Sequence, residues 1–316
     1  MAQAVLSRPV ALPARSWSDA LLQSRGLLGF LFMLPAAAFL IIFLTYPLGL
    51  GIWLGFTDAR LNRPGVFVGL ENYELLWTDH VFWLVVFNTL LYTVVASIFK
   101  FGLGLWLALL LNERLPFKAF IRAIVLLPWV VPTVLSAIAF WWIYDTNFSV
   151  ISWALKEAGI IENNINFLSG GPWNARASVI AANVWRGIPF VAITLLAGLQ
   201  TIPLSLYEAA TLDGATAWQR FRFITFPLLT PIIAVVMTFS VLFTFTDFQL
   251  IWVLTRGGPV NATHLMATLS FQRGISGGQL GEGAAIAVAM IPFLLAAILF
   301  SYFGLQRRRW QQGGRD

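Results

Sequence analysis

The chain has 316 residues, of which 59% are hydrophobic, 15% aromatic and 11% charged, with 20 Lys+Arg, 14 Asp+Glu and no cysteine. Soluble domains run near ~45–50% apolar and ~25% charged, so one soluble domain is excluded: its surface needs more polar side chains than this chain supplies. The same numbers exclude a disordered chain, a collagen-like fibre, a disulfide-stapled domain and thiolate metal or redox chemistry, which leaves a polytopic membrane protein.

A hydrocarbon core of ~30 Å needs ~20 consecutive mostly apolar residues as a helix. Six stretches qualify, at about 27–55, 81–111, 119–143, 178–200, 231–254 and 283–305. Apolarity is continuous in each, not alternating, which selects helices over a closed β-barrel. The fold class is therefore all-α, with six transmembrane helices. The polar segment 1–26 carries Arg8, Arg15 and Arg25. The run after it exceeds the ~7–15 residue core of a signal peptide, so it reads as an uncleaved first span. Six spans return both ends to one side, and basic residues decide which. Twelve Lys+Arg fall in segment 1–26, the 112–122 loop (Arg114, Lys118, Arg122), the 201–230 loop (Arg220, Arg222) and the 306–316 tail. Six fall in the opposite loops, 56–80, 144–177 and 255–282. This predicts both termini in the cytoplasm, with the chain multi-pass in the plasma membrane. The net charge of +6 reflects this bias and contact with anionic membrane lipid, and no nucleic-acid partner is needed to explain it.

Polar residues within spans are costly and face a bundle interior or a wet cavity. Asn183, Gly187 and Phe190 stand at i, i+4 and i+7 in the fourth span. Ser240, Phe243, Thr244 and Asp247 stand at i, i+3, i+4 and i+7 in the fifth. Each set shares one helical face, and at ~1.5 Å per residue both lie at similar depth in the outer half of the membrane. Together they supply the donors, acceptors and aromatic rings that a hydroxyl-rich ligand requires. A packing role competes: small and hydroxyl residues line helix contacts, and phenylalanines fill cores. Asp247 has three readings: an ion pair with Arg186, a ligand for substrate hydroxyls, or a proton relay. Lys100 is expected to snorkel or to meet a neighbouring subunit. His80 and His264 are expected as solvated loop residues, and Gly257-Gly258-Pro259 as a turn shaping an outer gate. There is no cysteine-histidine cluster for a metal and no paired base and nucleophile in any span, so neither a metal site nor an enzyme is expected.

The 201–230 loop is the long cytoplasmic connection. Ser205 stands three residues before Glu208, the spacing of a capping box. Gly214 ends that short helix, a second runs through Trp218–Phe223, and Pro227 and Pro231 lead into the next span. The expected product is a hairpin at the membrane face exposing Ala209, Ala210 and Ala215, with Glu208 as its charge. Composition alone reads it as an amphipathic interfacial hairpin. Its spacing is more specific: Glu208-Ala209-Ala210, three residues, Gly214, nine residues, Ile224, two residues and Pro227. This resembles the EAA motif of ABC-importer permeases, including Asp213-Gly214-Ala215 and Pro227-Leu228. Phe67-Val68-Gly69-Leu70-Glu71-Asn72-Tyr73, Leu127-Pro128-Trp129-Val130-Val131-Pro132, and Leu254-Thr255-Arg256-Gly257-Gly258-Pro259 with Thr263 are similar to its sugar-uptake, maltose-permease-like branch. The likeness covers roughly 27–305, without that permease's large outer domain and extra N-terminal spans. It looks like the compact subunits that import glycerol 3-phosphate, lactose, trehalose or other oligosaccharides.

The resemblance implies the type I ABC importer permease fold in a bacterial inner membrane, half of a translocation path. It implies a second, non-identical permease subunit, an ATPase homodimer and an extracytoplasmic sugar-binding protein as partners. Glu208, Ala209, Ala210, Asp213 and Gly214 would dock on the ATPase. No GxxxxGK[ST] phosphate loop is present, so ATP and Mg would act through that partner and this chain binds no cofactor. The maltose permease's sugar-contacting positions fall on Asn183, Gly187, Phe190, Ser240, Phe243, Thr244 and Asp247. Phe190, Thr244 and Asp247 depart from it, where that subunit has a tyrosine and two asparagines. Glycerol 3-phosphate or another polyol is an alternative cargo. A proton-coupled secondary transporter using Asp247 and a purely structural anchor for an ATPase are alternatives of other classes.

Overall fold

The computed structural model describes residues 25–113 and 115–311. Arg8, Arg15, Arg114 and Arg315, counted above for orientation, lie outside the described residues. Residues up to Trp53 form a unit of their own, and its described part lies in one long helix, α1, Gly26–Leu54. Pro47 sits inside it, just after a π-helical turn at Ile41–Thr45. Proline has no N–H for the i→i−4 bond and its ring crowds the carbonyl four residues back, and the widened turn accommodates both. No side chain of its most apolar window is buried.

The second unit begins at Leu54. In chain order it holds α2 (Glu71–Thr78), α3 (His80–Asn112), α4 (Lys118–Val130), α5 (Thr133–Ile143), α6 (Val150–Glu157) and α7 (Pro172–Leu199). Next come α8 (Leu204–Leu212), α9 (Ala217–Arg220), α10 (Phe226–Phe245), α11 (Gln249–Leu254), α12 (Met266–Phe271) and α13 (Leu280–Gln311). Among the described residues there is no strand, only isolated bridges at Thr57–Phe67 and Arg60–Arg63. The core is α3 packed along α7, with α10 across both. Three apolar clusters fill it. Val85, Phe245, Met266 and Ile286 mark the first, Tyr92, Val179, Leu250 and Ile251 the second, and Leu111, Val191, Leu195 and Leu229 the third. Between helices in lipid, such packing holds through close van der Waals fit rather than escape from water.

Two expected spans are interrupted. The third is a bent pair: α4 and α5 meet at 89° across Val131 and Pro132. Pro132 forces the residue before it out of the helical region, and Val131 is extended, at φ −63° and ψ 132°. The fifth stops at Phe245 and restarts at Gln249. Asp247 therefore stands in a break, not on the continuous helix its spacing predicts. The fourth span's helix starts at Pro172, ahead of the expected 178, with proline at its first helical position.

The quoted motifs acquire local roles. Asn72 at the start of α2 donates to the carbonyls of Gly55 and Thr57, both at 2.9 Å, and so ties α2 to the segment that opens the second unit. In the loop after α11, the hydroxyls of Thr255 and Thr263 meet at 2.7 Å, and Thr263 also reaches the Gly258 carbonyl at 2.7 Å. Asn88 of α3 donates to the carbonyls of Asn261 and His264, while Arg176 of α7 donates to the Asn88 side chain and the Ala262 carbonyl. The loop is thus strapped onto α3 and α7. His264 is buried, not solvated as expected: its Nδ1 lies 3.0 Å from the Thr268 hydroxyl. Gly257 makes room for it, since a Cβ there would lie 2.2 Å from the imidazole. Burial, then the nearby Arg273 guanidinium, push the His264 pKa down to about 4. Arg273 pairs with both Asp79 and Glu282, joining the turn after α12 to the starts of α3 and α13.

Candidate functional site

All seven residues singled out within the spans, Asn183, Gly187, Phe190, Ser240, Phe243, Thr244 and Asp247, line one cavity of about 500 Å³. α7 and α10 bring two walls, the break after α10 brings Asp247, and α3 and the α4–α5 corner close the rest. Its two sides differ in chemistry. One is aromatic: Trp129 of α4 stacks on Phe190 of α7 with ring centroids 4.8 Å apart and 22° between planes, and Phe243 of α10 lies 6.2 Å from Phe190. The Arg186 guanidinium lies over the Trp129 ring at 5.4 Å, within cation–π range.

The other side is a polar network. Asp247 Oδ2 accepts from the Tyr92 hydroxyl at 2.8 Å and from Asn183 Nδ2 at 2.9 Å, and Oδ1 accepts from the Leu250 N–H at 3.3 Å. The carboxylate fixes which way the Asn183 amide points, because only its NH₂ end can donate. The Asn183 carbonyl oxygen is left buried with no partner. Lys100 Nζ donates to the Thr244 hydroxyl at 2.7 Å, and that hydroxyl reaches the Ser240 carbonyl at 2.5 Å.

Two expectations change here. Asp247 and Arg186 are not an ion pair: among the described residues the pairs are Arg63–Asp58, Arg273–Asp79 and Arg273–Glu282. The break in the fifth span turns the carboxylate toward neutral donors, while Arg186 is drawn over Trp129. Lys100 does not snorkel: it is only 4% exposed and lines the cavity. Gly187 serves the lysine directly, since a Cβ there would stand 2.5 Å from Lys100 Cδ. Lys100, Tyr92 and Trp129 are the participants that sequence reasoning left out. A lone cation in a 33-residue apolar helix is itself a pointer to function, and Trp129 sat in a motif already quoted.

The 201–230 hairpin forms with a different start. Pro203, not Ser205, precedes α8, and no side chain caps it. Gly214 ends α8 with φ +76°, a conformation that glycine adopts without strain. The capping box appears one helix later, where Thr216 and Gln219 satisfy each other's backbone N–H. Arg220 donates to the Thr211 hydroxyl at 2.7 Å, and the Tyr207 and Thr225 hydroxyls meet at 2.9 Å, so the hairpin is cross-braced. Glu208, Ala209, Asp213 and Gly214 are exposed, whereas Ala210 and Ala215 are half-buried, because they face inward across the turn.

Residues 100–312 match the family of binding-protein-dependent transport system inner membrane components. The chain belongs to this family. It is a permease subunit of a binding-protein-dependent ABC importer, all-α and crossing the membrane several times. It is 36% identical to the trehalose/maltose transport system permease protein of Thermococcus litoralis, over 89% of this chain and 95% of that one. It is 35% identical to the sulfoquinovosyl glycerol transport system permease protein of Agrobacterium fabrum, over 84% and 85%. Among solved structures, a bacterial ABC transporter involved in import of the acidic polysaccharide alginate matches with TM-score 0.78 and 26% identity, over 90% of the permease and 96% of that chain.

Proposed function

We propose that this permease forms half of the path of an ATP-driven sugar importer, and that the cavity between α3, α4, α7 and α10 is where the sugar passes. The observation that carries the reading is the split lining. Trp129, Phe190 and Phe243 offer ring faces to the apolar face of a pyranose, while Asn183, Ser240, Thr244 and Asp247 offer hydrogen-bonding groups to its hydroxyls. A cavity of about 500 Å³ is within the ~300–1,000 Å³ usual for small-ligand sites. The trehalose/maltose permease of Thermococcus litoralis supports a carbohydrate cargo for the chain.

Glu208, Ala209, Ala210, Asp213 and Gly214 make the docking knuckle for a separate ATPase homodimer, which alone binds ATP and Mg. Small residues allow close approach of the ATPase, the exposed Glu208 and Asp213 offer it charge, and the braces at Thr211–Arg220 and Tyr207–Thr225 let the hairpin move as one lever. A second, non-identical permease completes the path, an extracytoplasmic binding protein delivers sugar to the outer loops, and both termini lie in the cytoplasm. The test is uptake of labelled oligosaccharide by proteoliposomes holding the purified assembly and its binding protein. Uptake is expected only with ATP inside a vesicle whose ATPase faces the lumen. Accumulation driven by a proton gradient without ATP would refute the reading.

A further inference from the structure

Resting on the sugar-import reading, we infer that the cavity takes an acidic sugar, one bearing a carboxylate, phosphate or sulfonate, and that Lys100 is the residue that selects it. Three formally charged side chains line the cavity: Lys100, Arg186 and Asp247. Asp247 takes three neutral donors, Tyr92, Asn183 and the Leu250 N–H. Neither Lys100 nor Arg186 is within ion-pair distance of a carboxylate among the described residues. Among the described residues Lys100 Nζ hydrogen-bonds to one group, the Thr244 hydroxyl, and Arg186 Nε is buried with no hydrogen-bond partner.

Buried cations are expensive unless a counter-charge or a full set of acceptors meets them. Here the chain's own carboxylate is held by neutral donors, so the cavity carries one positive charge in excess: the buried Lys100 has no carboxylate within ion-pair distance among the described residues, and the half-buried Arg186 is met by the Trp129 ring alone of the cavity's groups. The fold even makes room for one of them, since any side chain at position 187 would displace Lys100. A neutral sugar gives such a pair nothing that water does not. A monoanionic sugar completes it, with its acid group between Lys100 and Arg186 and its ring against Trp129 and Phe190.

The experiment is uptake by cells that carry the importer's genes and otherwise import none of the probes. The acidic probes are a glucuronyl-glucose disaccharide, glucose 6-phosphate and 6-sulfoglucose, and the neutral probes are trehalose, maltose and cellobiose. Wild type is expected to take up at least one acidic probe. Lys100→Met is expected to cut that uptake at least about tenfold, the scale of one lost charge-assisted hydrogen bond, while Lys100→Arg retains most of it. Immunoblots of membranes show that each variant is inserted, and Lys100→Arg separates loss of charge from failure to fold. Uptake of neutral probes alone overturns the acidic assignment and leaves the sugar reading standing. Uptake of no sugar by inserted wild type overturns both. Undiminished acidic uptake by Lys100→Met overturns the role of the lysine.

Discussion

The bond between the Tyr92 hydroxyl and Asp247 joins the second span to the break in the fifth, and its worth can be bounded. Hydrogen bonds between membrane helices average about 0.6 kcal/mol and reach about 1.7, because the unfolded chain in lipid finds other partners. An ionised acceptor roughly doubles a neutral bond, so a coupling of about 1–1.7 kcal/mol is expected between Tyr92→Phe and Asp247→Ala. Asp247→Ala alone should cost more, about 2–3 kcal/mol, since it strands a buried hydroxyl and the Asn183 amide together. The assay is reversible unfolding of the purified assembly in mixed detergent micelles, run as a double-mutant cycle. A parallel cycle of Arg186→Gln with Asp247→Ala should give a coupling under about 0.5 kcal/mol, the level of non-contacting sites. If the Arg186 cycle exceeds the Tyr92 cycle, the carboxylate is paired with the guanidinium and not with the Tyr92 hydroxyl.

Glu208→Lys should abolish uptake and transport-coupled ATP hydrolysis at unchanged membrane level, whereas Glu208→Gln should retain part of both; normal uptake by the lysine variant would remove the hairpin from the coupling path. Trp129→Ala should raise the KM for sugar about tenfold or more, since stacking faces contribute on the order of 0.5–1.5 kcal/mol beyond their buried area, with Trp129→Phe recovering much of it. His264, held at a pKa of about 4 by burial and by Arg273, is neutral when folded and gains a proton more readily when unfolded. Its contribution is therefore complete above about pH 6.5 and is lost as pH falls from there toward 4, by at most about 3 kcal/mol. Unfolding measured from pH 7 to 4.5 should show this loss, and His264→Gln should flatten it. Asp79, whose burial is outweighed by its bonds to Arg273 and to the start of α3, has a lowered pKa and loses its contribution only at more acid pH, outside that window.

Helix positions were legible wherever apolarity runs unbroken, as along α3 and α13, because lipid leaves the backbone no alternative to internal bonding. The breaks were not. Val131-Pro132 was visible as a motif, yet a proline in a span bends a helix slightly or by a right angle depending on what receives the second half. Here α5 is received by α11, a contact far apart in the chain. The gap at Thr246–Phe248 has no proline or glycine to announce it. Periodicity nonetheless gathered the right face, since Ser240 and Thr244 precede the break and Asp247 folds back toward Asn183. What one-dimensional patterning missed were partners lying elsewhere in sequence: Tyr92 is 155 residues from Asp247 and Lys100 is 144 from Thr244. His264 failed for a related reason. A histidine in a loop reads as solvated until that loop is strapped to two helices by Asn88 and Arg176.

The interruptions and the polar cluster explain each other. A continuous fifth helix would leave Asp247 on a wall facing its neighbours at helix spacing. Interrupting it frees the carboxylate to reach Tyr92 and Asn183 on two other helices, and irregular backbone at membrane depth is tolerated only where protein or a wet cavity surrounds it. The corner at Pro132 then sets Trp129 opposite, one turn from where the chain changes direction. The aromatic and polar walls thus hang on two segments, each fixed at one end to the α3–α7 core and free of regular helix at the other. If the cavity is the sugar's path, as proposed, it must open alternately to its two sides, and these interruptions are where the backbone can bend without breaking a regular helix. Shortening either interruption, for instance by Pro132→Ala, should therefore slow transport more than it weakens sugar binding. Equal loss of maximal rate and affinity would instead place the corner in the binding wall alone.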